Sequence, residues 1–353
     1  MMKFELDPVT AKRFMRFRRL KRGYYALLIL ATRAVVSLFS DFIANRRAIF
    51  VLYHGKAYFP TFSFHTMAEF GQKDEFGFDD LEADYVALKQ TVKEQKSGLV
   101  WMPIVPYDPY EPDFNYADPP PNPPDHKHWF GTDSQGRDVF ARLLYGFRIS
   151  IFFALSLVFA GQTVGTIIGS LQGYLGGWFD LAVQRSIEIW SSLPVLYVVI
   201  VISTFVTPSF WMLVFILALF QWISITYYMR TEVYREKTKE YALAARSFGA
   251  SNRRLIFTHL LPNCITPLVT FTPFAIVAAI GSLTALDYLG FGLPAPTPSW
   301  GELIDQALQS ENRDKIWLAI APFGALSMTL FLVTLIGESV REAFDPKQYA
   351  RYE

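Results

Sequence analysis

Long uncharged stretches recur along the chain beyond residue 148. Asp, Glu, Lys and Arg are absent between Arg148 and Asp180, Glu188 and Arg230, His259 and Asp287, and Lys315 and Glu338. Because a bilayer core needs about 20 consecutive apolar residues per helix, these stretches predict membrane spans. The pattern favours an all-α polytopic membrane protein with six transmembrane helices. We place these helices at about Tyr24–Ile43, Ile149–Leu171, Ile187–Val206, Phe210–Met229, Cys264–Leu286 and Ile316–Gly337.

Prolines predict a turn and kinks within these spans, and one arginine lies inside the first of them. The stretch around Thr207–Ser209 is too long for one span and predicts a helical hairpin. Pro194, Pro267 and Pro273 lie inside spans and should kink them. Arg33 lies near the centre of the first helix, where an arginine costs roughly 2.5–3.5 kcal/mol on insertion scales. We expect Arg33 to face other helices or water. Its position is explained equally well by snorkelling, by a shifted span or by a functional role.

Basic residues predict the orientation in the membrane. Seven of them precede the first helix, and short positive segments stay in the cytoplasm. With six crossings, the loop 230–262 must also be cytoplasmic, and its seven basic residues against three Glu agree. The tails 1–23 and 339–353 are therefore both predicted inside, and the amino-terminal run lacks the cleavage site of a signal peptide. The seven residues before the first helix are Lys12, Arg13, Arg16, Arg18, Arg19, Lys21 and Arg22.

The segment 45–148, between helix 24–44 and the five-helix core 149–338, is predicted to lie outside as a large extracytoplasmic insertion. Long loops cross regardless of their charge, so its mixed charges do not oppose this. Its first part is rich in aromatic residues, and nine prolines between Pro103 and Pro124 favour extended chain. We expect a small irregular domain followed by a spacer.

Composition excludes several function classes. The chain has 353 residues, of which 33 are basic and 32 acidic, so nothing in its net charge of +1 points to nucleic acid or an acidic substrate. The single cysteine, Cys264, allows no intrachain disulfide. There is no phosphate-binding loop, since Gly55-Lys56-Ala57 lacks both the hydroxyl and the upstream glycine.

Glycines form a stripe along the second predicted helix. Gly161, Gly165, Gly169, Gly173 and Gly177 recur at every fourth residue, which allows another helix to approach closely. Packing within the chain and contact with another subunit both fit this pattern.

The loop between the fourth and fifth spans is interpreted as helix, break, helix. Tyr241, Ala244, Ala245 and Phe248 fall on one apolar face, flanked by Lys239 and Arg246. Such a short helix could lie in a groove of another protein or on the membrane surface. At its end, Gly249 fits a left-handed position, Ser251 an N-cap, and Pro262 a break before the fifth span.

This loop resembles the EAA loop of permease subunits of ABC importers. The family pattern is Glu-Ala-Ala, three residues, Gly, nine residues, Ile, one residue, Leu-Pro. Five positions match it, while Leu243 replaces the Glu and His259 the Ile. The matching residues are Ala244, Ala245, Gly249, Leu261 and Pro262.

Three further segments narrow the resemblance. Phe130–Ser150 and Pro296–Gly301 are similar to segments of the C-type subunits of oligopeptide, dipeptide and nickel permeases. Leu286–Pro294, together with the long insertion, looks most like the Yej-type peptide permease subunit. The resemblance implies a type I importer permease in the bacterial inner membrane, carrying short peptides or peptide-like compounds. The expected partners are a second, B-type permease, two ATPase subunits or one fused ATPase, a periplasmic peptide-binding protein and membrane lipid.

The same resemblance implies a division of roles. ATP and magnesium would be bound by the partner ATPases, so no catalytic, cofactor or metal residue is expected in this chain. Gly161, Gly165 and Gly169 would pack helices. The residues expected to couple the chain to the ATPase are Tyr241, Ala244, Ala245, Arg246, Gly249, Leu261 and Pro262.

Other interpretations remain as alternatives. A stand-alone secondary transporter needs buried ionisable residues, of which the spans hold almost none besides Arg33, and a membrane scaffold ranks third. Asp125, His126 and His128 lie close in sequence, but in a proline-rich loop we expect solvated polar residues rather than a metal site. Interfacial ion pairs are expected for Arg185 with Glu188 and for Glu338 with Arg341. The transported compound cannot be named from this sequence.

Overall fold

The computed structural model describes residues 8–73, 77–95, 98–113, 116 and 118–344. Parts of the two predicted tails, residues 1–7 and 345–353, lie outside the described residues. The helices, in chain order, are α1 Pro8–Arg19, α2 Lys21–Leu38, α3 Ser40–Ile43, α4 Tyr85–Gln95, α5 Val139–Leu175, α6 Gly177–Ser191, α7 Val195–Phe205, α8 Phe210–Glu236, α9 Glu240–Ser247, α10 Asn252–Arg254, α11 Ile265–Tyr288, α12 Trp300–Leu308 and α13 Ile316–Phe344. The strands are β1 Phe50–Tyr53, β2 Lys56–Tyr58 and β3 Gly98–Trp101.

Four helical stretches of the described chain are long and apolar enough to cross a membrane. They are α5, α8, the continuous run Asn252–Tyr288, and α13. A fifth crossing is formed if α6 and α7, which meet at a bend of 65°, are counted as one broken span. The third span, predicted as Ile187–Val206, is therefore two helices, and the bend falls at the predicted Pro194.

The helical hairpin predicted around Thr207–Ser209 is confirmed. Helix α7 ends at Phe205 and α8 begins at Phe210. The Ser209 hydroxyl accepts a hydrogen bond from the Met212 N–H at 3.4 Å, which caps α8. Pro273 lies inside α11, whereas Pro267 lies in its first turn, directly after the 3₁₀ stretch.

The first predicted span corresponds to α2 and α3. Helix α2 carries Lys21, Arg22 and Arg33 and is not among the four stretches that are long and apolar enough to cross a membrane. Arg33 faces another helix, since its guanidinium lies 4.8 Å from the ring centroid of Phe147 on α5. This cation–π contact partly compensates the cost of an arginine in an apolar helix.

The chain divides into two compact units. The first, here called the bundle unit, contains residues up to Thr32, Ser150–Pro294 and the residues from Leu326 onwards. The second, the sheet unit, contains Arg33–Ile149 and Ala295–Ala325. In the bundle unit, the largest buried cluster joins Phe153 and Leu157 of α5 to Leu213 of α8 and Ile280 of α11.

The glycine stripe of α5 faces α8 of the same chain. A Cβ atom added to Gly161 would come within 2.7 Å of Gln221, and one added to Gly169 within 2.5 Å of the Thr226 carbonyl oxygen. Gly165 and Gly173 make equally close approaches. Gly177 does not continue the stripe, because α5 ends at Leu175 and the chain turns there.

The sheet unit contains a small α/β fold that the all-α prediction missed. Its antiparallel sheet has the order β2-β1-β3, with Val51 opposite Val100. Val51, Val100 and the α4 residues Leu88 and Val92 are buried together. The aromatic-rich part of the insertion is thus a folded domain rather than an irregular one. The proline-rich part, 102–138, has no helix or strand among its described residues, as expected.

Within the sheet unit, two buried arginines of the segment Phe130–Ser150 form ion pairs with α12. Arg137 donates from Nη2 to Oε1 of Glu302 at 2.7 Å and from Nε to Oδ2 of Asp133 at 2.8 Å. Arg142 pairs with the other oxygen of Glu302 and donates to the Pro109 carbonyl at 2.9 Å. The segment Phe130–Ser150 is thereby fixed to α12, whose first two residues, Trp300 and Gly301, end the Pro296–Gly301 segment.

Of the two ion pairs predicted at the ends of spans, one forms and one does not. Arg185 pairs with Glu188 at 2.6 Å, as expected. The predicted pair of Glu338 and Arg341 is replaced by an ion pair of 2.7 Å between Arg22 of α2 and Glu342 of α13. One turn of α13 earlier, Gly23 of α2 approaches Ser339, which brings Arg22 into reach of Glu342.

The two histidines of the proline-rich segment, His126 and His128, differ in their burial. His126 is exposed, as expected of a solvated residue, but His128 is buried, which the sequence interpretation got wrong. The His128 ring lies between two carboxylates, 2.6 Å from Asp138 and 3.3 Å from Asp113. Burial lowers the pKa of His128, but the two carboxylates outweigh it, so the net shift is upward.

Candidate coupling site in the loop 230–262

The candidate site is the helical segment that links α8 to α11. Helix α9 begins after Lys239, holds Glu240 in its first turn and Arg246 in its last, and is otherwise rich in alanine. Alanine favours a helix, and the two charges suit the helix dipole. Helix α10 then leads through a π-helical stretch, Leu255–Leu260, and a 3₁₀ stretch, Leu261–Cys264, into α11.

Helix α9 has a buried and an exposed side. Ala242 is 2% exposed and packs in a cluster with Met229 and Val233 of α8, and Ala245 lies partly buried beside them. Phe248, at the carboxyl end of α9, is 91% exposed. Tyr241, Leu243 and Ala244 are exposed as well.

The apolar face predicted for α9 is therefore divided. Ala245 belongs to the inner side, with Ala242 three residues before it, whereas Tyr241, Ala244 and Phe248 form an outer side. The reason is that α9 lies against the end of α8 and buries its small residues there. Its larger apolar residues remain free for contact with something else.

A buried carboxylate fixes the start of α9. Glu236, the last residue of α8, is 3% exposed. Its Oε1 accepts a hydrogen bond from Lys239 Nζ at 2.6 Å, and its Oε2 accepts one from the Tyr241 hydroxyl at 2.8 Å. Burial and this hydrogen bond raise the pKa of Tyr241, so the phenol stays protonated and keeps donating.

A second group of contacts ties the loop to the turn between α5 and α6. Arg230 donates to both carboxylate oxygens of Asp180, at 2.6 Å and 2.5 Å. Lys237 donates to the Tyr174 carbonyl at 3.1 Å, and the Tyr174 hydroxyl donates to Asn252 at 2.6 Å. A bidentate arginine–carboxylate pair restricts geometry more than a single contact does. The loop is thus attached to α5, α6 and α8.

The break between the two helices forms as the sequence predicts. Gly249 has a φ of +83°, the left-handed conformation expected of it, and a Cβ added there would meet nothing within 4 Å. The Ser251 hydroxyl accepts from the Arg254 N–H at 3.3 Å and caps α10. Gly249 therefore lies on open surface next to Phe248.

Leu261 and Pro262 differ in their surroundings. Leu261 packs against the cluster that holds Ala242, whereas Pro262 is exposed. Proline cannot donate to the helix and crowds the carbonyl four residues earlier, which accounts for the change from α-helical to π and 3₁₀ geometry around it. The helical course continues through Pro262, so the predicted break is a local change of helix type.

Sequence reasoning missed several residues that hold the site. Glu236 and Asp180 were not singled out, although Glu236 is flanked by Arg235 and Lys237 and Asp180 ends the uncharged stretch that begins after Arg148. Ala242 was missed because its partner face on α8 cannot be seen in one helix alone. Tyr174 carried no recognisable signal.

Apart from Glu240, the exposed charged residues of α9 and of the chain up to Pro262 are basic. Arg246, Arg253 and Arg254 are exposed and form no ion pair within 4 Å in the part of the chain that the structure describes. Phe248 is thus an exposed apolar residue in a segment whose exposed charges, Glu240 excepted, are positive. In the same described residues, no group of three or more His, Cys, Asp or Glu side chains is arranged to hold a metal ion.

Comparison with known proteins identifies relatives over most of the chain. Residues 165–348 match the family described as binding-protein-dependent transport system inner membrane component. The inner membrane ABC transporter permease protein YejE of Escherichia coli strain K12 is 41% identical, over 97% of this chain and 98% of that protein. The peptidoglycan transport system permease protein YejE of Agrobacterium fabrum is 37% identical, over 98% and 95%.

A further relative and a solved structure extend the comparison. The dipeptide transport system permease protein DppC of Bacillus subtilis is 35% identical, over 64% of this chain and 70% of its own length. A chain from inward-facing structures of the MetNI methionine ABC transporter is 16% identical, with a TM-score of 0.48 over 58% of this chain and 97% of that one. From the family match and the identity to full-length relatives, the chain belongs to the binding-protein-dependent transport system inner membrane components.

Proposed function

We propose that this chain is a permease subunit of an ATP-driven importer of short peptides or peptide-like compounds. Its relatives at 35–41% identity include permease proteins named for dipeptide and peptidoglycan transport. The proposed partners are a second permease subunit, two ATPase subunits or one fused ATPase, and a periplasmic peptide-binding protein. ATP and magnesium would be bound by the ATPases.

The proposed topology has six spans. Helix α2 would cross first, with α6 and α7 together forming one broken span, so both termini and the loop 230–262 lie in the cytoplasm and 45–148 lies outside. The basic residues before α2 and in the loop support this orientation. Much of the surface of the spans is not covered by this chain. Only 22% of the most apolar part of α13 is buried within it. Lipid and the second permease would cover the rest.

Helix α9 is the proposed contact with the ATPase. The observation that carries this is Phe248, which is 91% exposed on a helix whose other end is fixed by Glu236. A large apolar side chain on a rigid support costs little entropy when it enters a groove. The exposed Arg246, Arg253 and Arg254 predict that this groove has an acidic rim.

The contacts of the loop suggest how movement would reach the membrane. Closure of the ATPases on ATP would displace α9, and Glu236 would pass the displacement to α8. Arg230 and Lys237 would pass it to the turn between α5 and α6. Because the glycines of α5 allow close contact with α8, these two helices would move together. The coupling residues are therefore supported by a rigid group of helices, as alternating access requires.

The alternative of a stand-alone secondary transporter is not favoured. Such a transporter binds or relays coupling ions through ionisable groups at the depth of the membrane. The uncharged stretches of this sequence supply none, and Arg33 is in contact with Phe147. The relatives are permease subunits that work with other chains.

Truncation of Phe248 tests the proposal. The variant Phe248→Ala, expressed with the ATPase and the second permease, should assemble in the membrane but retain much less ATPase on purification. Because Phe248 makes little contact within the chain, its loss should leave thermal stability unchanged. Phe205→Ala removes an equally exposed phenylalanine, 84% exposed at the end of α7, and should retain the ATPase fully. Full retention of the ATPase by Phe248→Ala would contradict the proposed contact.

A further inference from the structure

An apolar aromatic surface lies on the sheet unit and is not covered by the described chain. In the sheet, Phe50 is opposite Trp101 and Leu52 is opposite Leu99, so these four side chains share one face. The other face, with Val51 and Val100, is covered by α4. Leu99 is 57% exposed and Trp101 is 63% exposed, which is unusual for large apolar residues on a sheet.

Aromatic contacts connect this face to the end of the first predicted span. The ring of Phe50 lies 5.4 Å from that of Phe59. Phe59 and Phe62 belong to one tight turn, in which the Phe62 N–H donates to the Phe59 carbonyl at 3.0 Å. Phe62 in turn lies 5.7 Å from Phe42 of α3. We call this surface the aromatic patch; it comprises Phe39, Phe42, Phe50, Leu52, Phe59, Phe62, Leu99, Trp101 and Ile104.

Backbone hydrogen bonds place the patch at the level where α3 ends. The Val105 N–H donates to the Ile43 carbonyl at 2.9 Å, and the Asn45 N–H donates to the Val105 carbonyl at 3.1 Å. Ile104, directly before this contact, is 72% exposed, and Phe39 is 54% exposed. The sheet face therefore begins within a few residues of the end of the first span.

Contacts between α3 and the start of α5 indicate the same depth in the membrane for the end of α3. Asp41 of α3 accepts a hydrogen bond from the Tyr145 hydroxyl at 2.8 Å and pairs with Arg148 at 3.0 Å. Arg148 is the last charged residue before the uncharged stretch that forms the membrane part of α5. Both spans thus place residues 41–44 where the apolar interior of the bilayer gives way to water.

We propose that the aromatic patch lies on the outer leaflet of the membrane and is buried among lipid headgroups and the first acyl carbons. The sheet residues of this face, Phe50, Leu52, Ala57, Leu99 and Trp101, are all uncharged, which suits insertion at a lipid interface. Aromatic rings are enriched at that depth in membrane proteins, and interfacial elements enter it by roughly 5–10 Å. The patch would hold the insertion domain against the membrane surface. This rests on the proposed outer location of residues 45–148.

Fluorescence quenching tests the proposal. An environment-sensitive fluorophore is attached at Phe62→Cys, Leu99→Cys or Trp101→Cys, in a Cys264→Ala background, in the assembled importer in lipid nanodiscs. Lys93→Cys, on the exposed side of α4, is the matched control. Labels in the patch should lose most of their emission to lipids carrying a nitroxide near the headgroup and little to aqueous iodide. The Lys93→Cys label should show the reverse.

Three results would overturn the proposal. Strong quenching of the patch labels by iodide would show that the patch faces water. Protection from both quenchers would show that another subunit covers it. Failure of Lys93→Cys to react with an impermeant maleimide added outside intact cells would show that the insertion is not external, which would contradict the proposed topology as well.

Discussion

The Tyr241 hydroxyl donates to Glu236 at 2.8 Å, and this contact joins the first turn of α9 to the last residue of α8. The other oxygen of Glu236 holds Lys239 at 2.6 Å. The carboxylate is 3% exposed, so its two oxygens depend on these partners rather than on water for hydrogen bonds. These two contacts fix the first turn of α9 to the end of α8, which is the link that the proposed coupling needs.

Removal of this carboxylate should loosen α9. The variant Glu236→Ala removes the hydrogen bonds of Lys239 and Tyr241, each of which contributes about 0.5–1.5 kcal/mol. We expect faster hydrogen exchange at 239–248 and lower peptide-stimulated ATP hydrolysis by the assembled importer. Tyr241→Phe, which keeps the ring, should have a smaller effect in the same direction.

Glu240→Ala is the control for this prediction, because Glu240 is an exposed carboxylate on the same helix. It contributes only its interaction with the helix dipole, about 0.3–1 kcal/mol. Equal exchange rates in Glu236→Ala and Glu240→Ala would contradict the role assigned to Glu236.

Two substitutions of Gly249 should distinguish the effect of backbone strain from that of a bulky side chain that blocks the proposed contact with the ATPase. Its φ of +83° is tolerated by asparagine but strained for most other residues. Gly249→Asn should therefore retain the ATPase nearly as the unmodified protein does. Gly249→Trp adds a bulky side chain beside Phe248 and should uncouple hydrolysis from transport. Normal peptide uptake by Gly249→Trp would count against α9 as the contact.

The close approach of α5 and α8 predicts a sharp difference between two glycines. A Cβ at Gly165 would lie 2.4 Å from the Trp222 carbonyl oxygen, a backbone atom that cannot turn away. Gly165→Ala should therefore lower the thermal stability of the purified protein by forcing the helices apart. Gly281→Ala, inside α11 with nothing within 4 Å of its added Cβ, should leave it unchanged or raise it. Similar melting temperatures for both variants would be inconsistent with the contact.

His128 predicts a pH dependence of the proline-rich segment. Its pKa is raised above the ordinary value of about 6.5. The stabilisation from its contacts with Asp138 and Asp113 is therefore fully present below about pH 6.5 and declines as the pH rises through the raised pKa of the folded state. Hydrogen exchange at residues 122–138 should accelerate with rising pH beyond the intrinsic rate increase.

Two substitutions check the assignment of this pH dependence. His128→Gln should abolish the additional acceleration, because no charge is then lost. His126→Gln changes an exposed histidine two residues away and should leave the additional acceleration of exchange in place. An unaltered profile in His128→Gln would assign the effect to another group.

Four of the predicted spans and the course of the loop 230–262 could be predicted because each depends on local chemistry. Uncharged length indicates a span, Gly249 suits a left-handed turn, and Ser251 suits an N-cap. What was missed depends on partners distant in sequence. Glu302 lies 165 positions from Arg137, and the buried face of α9 is decided by α8.

The sheet of the insertion was missed for a different reason. Its hairpin turns at His54 and Gly55, both with positive φ, a turn type that matches the twist of antiparallel strands. Histidine is an uncommon first residue for such a turn, so the signal is weak. Its strands hold only three or four residues each, and their outer face is apolar, so the alternation that indicates a strand is hidden.

Site-specific cross-linking from position 248 tests the coupling role of α9 most directly. A cysteine or photoreactive residue at this position, in a Cys264→Ala background, is exposed to partners in intact cells. The account predicts a cross-link to the ATPase subunit and no reaction with an impermeant maleimide added outside. Labelling of Phe248→Cys from the outside, with no ATPase cross-link, would contradict it.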